Sequence, residues 1–136
     1  MKTFGDTNLF IYLIEEHPTF LPRVLALYER HLANDDTLIT SFLTLGELLV
    51  VPLRLGNHEK IQQYLGLLTE SERIHLVAFD RSAVEHYARI RAFASIRQPD
   101  AIQLACAVAA GATTFITNDQ RLWGLKVAGI DTICGL

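Results

Sequence analysis

The sequence lacks any apolar stretch approaching the roughly 18 residues that a membrane-spanning helix needs, so no such span is expected. Its first residues turn polar at Gly5-Asp6-Thr7-Asn8, before the apolar heart of a secretion signal could form, and we expect a soluble, unprocessed chain. Cysteine is scarce. Cys106 and Cys134 sit in no spacing that suits zinc or a disulfide framework, which points to a reducing cytoplasm. Basic residues are in deficit too: 12 Lys and Arg against 15 Asp and Glu give a net charge of −3, excluding the broad basic surface of a non-specific nucleic-acid binder. Any phosphate handled here must be neutralised by something else. Repeats, low-complexity tracts and linker-like stretches are absent, so residues 1–136 are expected to form one domain.

What is present is a rhythm of short apolar runs and longer periodic stretches, half of all residues being hydrophobic. Short strands are expected at Lys2 to Gly5, Thr37 to Thr40, Ile74 to Phe79, Thr113 to Thr117 and, weakly, Asp131 to Cys134. Helices are expected over Asn8 to Glu16, Thr19 to Leu32, Leu43 to Arg54, His58 to Leu68, Ser82 to Ser95 and Asp100 to Ala110, with a short helical piece from Arg121 to Lys126. Local punctuation supports these bounds: Pro22 and Pro99 near helix starts, Asp80 as an N-cap, and Gly111 closing its helix. Strands separated by helices pair in parallel, because each connection is long enough to cross over a sheet face. The expected fold class is therefore α/β, a three-layer α/β/α sandwich around a parallel sheet.

In such sheets ligands bind beyond the carboxyl ends of the strands, and there the sequence places acids. Asp6 follows the first strand and Asp119 the fourth; Glu47 lies about two turns into the helix after the second strand, and Asp100 in the first turn of its own helix. Charge at the end of an apolar strand is costly unless paired or metal-bound, and carboxylates that converge without cations raise one another's pKa. A divalent cation resolves that conflict. Oxygen ligands without cysteine or histidine favour Mg²⁺, with Mn²⁺ able to substitute, and such ions serve phosphodiester hydrolysis. Asp6 and Asp119 also suit helix-capping roles, and Asp100 suits the positive end of a helix dipole. Glu47 stands within the apolar run Leu43 to Val51, so we expect it not to be an ordinary solvated residue. The five histidines share no ligand spacing, Cys106 reads as core, and Trp123 reads as packing or interface rather than a base-stacking platform.

Four segments then carry a family resemblance: Gly5-Asp6-Thr7-Asn8-Leu9-Phe10-Ile11, Thr40-Ser41-Phe42-Leu43-Thr44-Leu45-Gly46-Glu47-Leu48, Gln98-Pro99-Asp100-Ala101-Ile102-Gln103-Leu104-Ala105 and Phe115-Ile116-Thr117-Asn118-Asp119. In this order they resemble the signature segments of PIN-domain ribonucleases, and most closely the VapC branch, the toxins of type II toxin–antitoxin pairs. The resemblance implies a five-stranded parallel sheet, Mg²⁺-dependent cleavage of RNA, and a small antitoxin partner that blocks the acidic pocket. By position, Asp6, Glu47, Asp100 and Asp119 become the catalytic acids, with Asp6, Asp100 and Asp119 as metal ligands. Asn8, Ser41 and Thr117 become supporting groups that orient carboxylates or water. Two departures stand out. Gly5 replaces a bulky apolar residue, which is expected to loosen the first strand, and Gln120-Arg121-Leu122 lacks a further acid, leaving one-metal and two-metal catalysis both open.

Among the basic residues near the acids in sequence, Arg97 is the expected grip on substrate phosphate, ahead of Arg89, Arg91, Arg121 and Lys126. The apolar helices between Leu43 and Leu68 exceed what a small core needs, so a homodimer is expected. Two other readings compete: a non-catalytic module whose acidic pocket docks a basic peptide, and an aspartyl-nucleophile phosphatase. The second is weakened by Asn8, where that class carries a second Asp two residues after the first.

Overall fold

A computed structural model describes residues 1–136. Five short strands form one sheet: β1 (Lys2–Gly5), β2 (Thr37–Ser41), β3 (Ile74–Val77), β4 (Thr114–Ile116) and β5 (Thr132–Cys134). They lie in the order β3-β2-β1-β4-β5, and every adjacent pair is parallel. The helices are α1 (Thr7–Ile14), α2 (Leu21–Ala33), α3 (Phe42–Leu55), α4 (His58–Thr69), α5 (Arg81–Phe93) and α6 (Gln98–Ala109). The expected α/β/α sandwich is the observed one. Boundaries of the strands and of these six helices move by at most two residues, and caps set four of the helix starts: Asp6 caps α1, Ser41 α3, Asn57 α4 and Asp80 α5, each through a side-chain oxygen. The helical piece expected over Arg121 to Lys126 is a single 3₁₀ turn, Gln120–Leu122.

Alternation along the strands divides the interior in two. Phe4, Ile39 and Phe115 face the layer built by α5 and α6, where they pack with Ile90, Ala101 and Leu104. Leu38, Ile74 and Ile116 face α1 to α4, packing with Leu9, Phe10, Leu45, Leu48 and Leu68. The rings of Phe4 and Phe115, neighbours in register on β1 and β4, stack with centroids 5.1 Å apart. Both are fully buried, and truncating either to Ala is expected to cost about 3–5 kcal/mol. No helix is long and apolar enough to cross a membrane. Cys106 and Cys134 are free, and burial pushes the Cys106 thiol up to about 11.

Gly5 stays within the first strand, in register with Ile116 of β4. A Cβ there would meet Leu9 Cδ2 at 3.0 Å and Leu38 and Phe10 at 3.6 Å, so its absence lets α1 sit close over β1. The exposed apolar side chains gather on α3, where Phe42, Val50, Val51, Leu53 and Leu55 face outward.

The central strand β1 pairs with β2 on one side and β4 on the other. Connections leave this point in opposite directions along the sheet, which opens a crevice beyond the strands' carboxyl ends. The turns after β1 and β4 meet there, joined by the Asp6 N–H donating to the Ile116 carbonyl at 2.9 Å.

Candidate active site

Asp6 is the residue at which β1 becomes α1. Its carboxylate accepts the Thr7 N–H at 2.8 Å through one oxygen and the Thr117 hydroxyl at 2.7 Å through the other. The capping and ligand readings are therefore not exclusive: the carboxylate caps the helix and also faces the crevice. Burial raises its pKa, and the charges of Asp100 and Glu47 raise it further, while the bonds from Thr117 and Thr7 pull it back. All its hydrogen-bond donors are neutral.

Asp119 follows β4 and is in the opposite state. Arg121 clamps it through a fork, Nε to Oδ1 at 2.9 Å and Nη2 to Oδ2 at 2.6 Å, and its own N–H adds a third bond at 3.1 Å. The Arg121 side-chain hydrogen bonds, then its charge and that of Arg97, hold the Asp119 pKa below the usual carboxylate value. Arg97 lies across the crevice mouth, its Nε 3.5 Å from Asp100 Oδ2 and its Nη2 3.8 Å from Asp119 Oδ2. Asp100 is in the first turn of α6, with 16% of its side chain exposed.

Glu47 differs from expectation in being solvent-exposed. The reason lies in α3, whose buried face is Thr44, Leu45, Leu48 and Pro52, so that Val50 and Val51 make an outward face look like core in sequence. The carboxylate is nevertheless held at the crevice, accepting the Thr7 hydroxyl at 2.8 Å.

The expected supporting residues divide. Thr117, fully buried, donates to Asp6 and accepts the Asp119 N–H at 3.1 Å, so one hydroxyl joins the two acids. Ser41 touches no carboxylate; it is turned inward to cap α3 and donate to Gln103. Asn8 is in the first turn of α1 and supplies none of the hydrogen bonds to Asp6 or Glu47. Missed in the sequence were Thr7, which bonds both Asp6 and Glu47, and a buried set of Thr40, Thr44 and Gln103 beneath them. Only the polarity of Gln103 within the otherwise apolar run Ala101 to Ala109 could have signalled the latter. Trp123 packs against Gly135 and donates its indole N–H to the Thr117 carbonyl at 2.8 Å, a packing role. His31 is buried between the Leu27 carbonyl and Thr3, and His17 receives the N–H groups of Thr19 and Phe20.

The donor chemistry fits a hard divalent cation. A half-buried carboxylate beside two like charges, with neutral hydrogen-bond donors alone, is what such an ion would neutralise. As arranged here, with Asp119 drawn onto Arg121, no three acidic, histidine or cysteine side chains already form a closed metal-binding group.

The model of the family described as PIN domain matches residues 4–126. VapBC2 from Rickettsia felis, bound to a DNA fragment from its promoter, has a TM-score of 0.74 at 22% identity, covering 99% of this chain and 98% of that one. VapBC-1 from nontypeable Haemophilus influenzae gives 0.67 at 25% identity, with 89% of each chain covered. VapC20 from Mycobacterium tuberculosis, described as a sarcin-ricin loop cleaving toxin, gives 0.64 at 16% identity, covering 86% of this chain and 91% of that one. No curated protein matches the sequence.

Proposed function

From the premise that this chain belongs to the PIN domain family, we propose that it is a metal-dependent endoribonuclease and the toxin of a toxin–antitoxin pair. The observation that carries this is Asp6: a half-buried carboxylate beside Asp100 and Glu47 at the crevice of the sheet, with only neutral donors to hold it. Asp6, Asp100 and Asp119 would hold Mg²⁺, or Mn²⁺ in its place, which supplies Lewis-acid polarisation of a phosphoryl oxygen and acidifies an attacking water.

The chain's own groups do the rest. Thr117 and the Thr7 N–H fix both oxygens of Asp6, so its orientation is set before substrate arrives. Glu47, held by Thr7 and open to solvent, is placed to orient water and accept its proton. Arg97 and Arg121, each with a side chain 65% exposed, can exchange Asp119 for phosphate oxygens beside the scissile bond. Together they give the local grip that a chain of net charge −3 needs in place of a basic surface.

The antitoxin partner rests on relatives solved as VapBC pairs, and with it goes residence in the cytoplasm. The exposed apolar face of α3 supports a homodimer. The competing reading, a docking module for a basic peptide, is favoured by one observation: Asp119 already holds a guanidinium. Cleavage of RNA with and without Mg²⁺ separates the two. Metal-dependent cleavage that disappears in Asp6→Asn supports the nuclease, whereas a folded wild-type protein that neither binds Mn²⁺ nor cuts RNA supports the docking module. Sedimentation at micromolar concentration tests the dimer.

A further inference from the structure

Beneath the acids lies a buried polar chain, three of whose members stand within one helical turn of an acid in sequence. Gly5 precedes Asp6; Thr44 is three residues before Glu47 on α3; Gln103 is three residues after Asp100 on α6. Thr40, Thr44, Ser41 and Gln103 are all at most 2% exposed. Proton counting fixes the direction of the chain. The Gly5 carbonyl can only accept, so the single Thr40 proton goes to it at 2.8 Å. Thr44 must then donate across its own 2.8 Å contact with Thr40, which leaves it able only to accept from above. The Gln103 amide supplies that donor, Nε2 to Thr44 Oγ1 at 2.7 Å, while its carbonyl oxygen accepts the Ser41 hydroxyl.

A methionine or leucine would fill this place on α6, among Ala101, Leu104 and Ala105, with no polar group to satisfy. An amide here contributes geometry that apolar packing does not: it locks the rotation of α6 against α3 and the end of β1. We infer that Gln103 is a positioning residue of the active site, which sets the spacing of Asp100 against Glu47 and Asp6 through Ser41, Thr44 and Thr40. The inference rests on the nuclease reading for its effect on activity, though not for its effect on spacing.

The test compares Gln103→Met, Thr44→Val and Thr44→Ser with wild type for thermal stability, kcat and KM on a model RNA, and spacing in crystal structures. Gln103→Met is expected to fold, keep KM within about two-fold and lose kcat by roughly 10- to 100-fold, the range for groups that orient metal-site ligands. Thr44→Val should match it, Thr44→Ser should retain kcat, and Gln103→Met with Thr44→Val together should be no worse than either alone. Unchanged kcat in folded Gln103→Met overturns the inference, as does an unchanged Asp100 to Glu47 separation in its crystal structure. If Gln103→Met fails to fold, the Thr44→Val and Thr44→Ser pair decides on the same readouts. Failure of wild type to cleave RNA removes the nuclease reading instead, and the crystallographic separation alone then decides the role of Gln103.

Discussion

Asp6 and Asp119 leave neighbouring parallel strands, β1 and β4, at the same end of the sheet, and a single hydroxyl, Thr117, touches the turn of each. Their electrostatic states are nevertheless opposed. Asp6 is held by neutral donors near two other acids, and desolvation raises its pKa; Asp119 is forked by Arg121, approached by Arg97, and its pKa is lowered. The pocket thus has one half without a cation and one half supplied with its own. The difference teaches that its negative charge is unevenly compensated: a divalent ion of the kind proposed would meet its strongest demand at Asp6 and a competitor at Asp119.

The contrast can be broken most forcefully at its unpaired half. Asp6→Asn removes the charge and keeps the shape, and metal-dependent RNA cleavage is expected to fall by at least about 100-fold; near-normal turnover would refute a ligand role. Next is the shared hydroxyl. Thr117→Val deletes the bond that a buried hydroxyl donates to a carboxylate and should cost about 1–3 kcal/mol by denaturant unfolding, with Thr117→Ser close to wild type. A smaller effect is expected on the paired side: Arg121→Ala frees Asp119 and should tighten Mn²⁺ binding by calorimetry by roughly two- to five-fold, as suits an exposed ion pair. Weaker binding would make Arg121 a contributor to the cation site rather than its competitor.

The smallest and most discriminating effect is on stability without metal. Since the folded Asp6 pKa lies above the unfolded value of 3.8, the folded state binds more protons than the unfolded one between them, and stability falls as pH rises through that window. Asp6→Asn should therefore raise Tm at neutral pH in the absence of metal, and the gain should vanish below the unfolded pKa. Asp119→Asn should do the reverse, because a lowered pKa contributes stability above the unfolded value that is lost as pH falls through the folded one.

The layers and the parallel sheet were legible because strand composition, helix caps and crossover lengths agree with one another. Asp6, Asp100 and Asp119 stood out because they follow strands or open a helix, and Glu47 because it interrupts an apolar run. Tertiary contacts were not. Glu47 looked enclosed because the apolar residues around it include an outward face of α3, and Ser41 looked like a carboxylate's partner until Gln103, 62 residues away, claimed its hydroxyl. The Arg121 fork depends on a 3₁₀ turn that returns the side chain to Asp119 two residues back, where sequence periodicity suggested a longer helix.

The strand order also has a temporal meaning. β1 is made first, but the hydroxyl that holds Asp6 belongs to a residue 111 positions later, and Asp119 is later still. Local contacts can build α1 to α4 around β1 and β2 before β4 exists to dock, so the pocket can close only after β4 has been made. A chain whose synthesis has not passed β4 therefore carries half a pocket: Asp6 is present, and the hydroxyl that orients it is not.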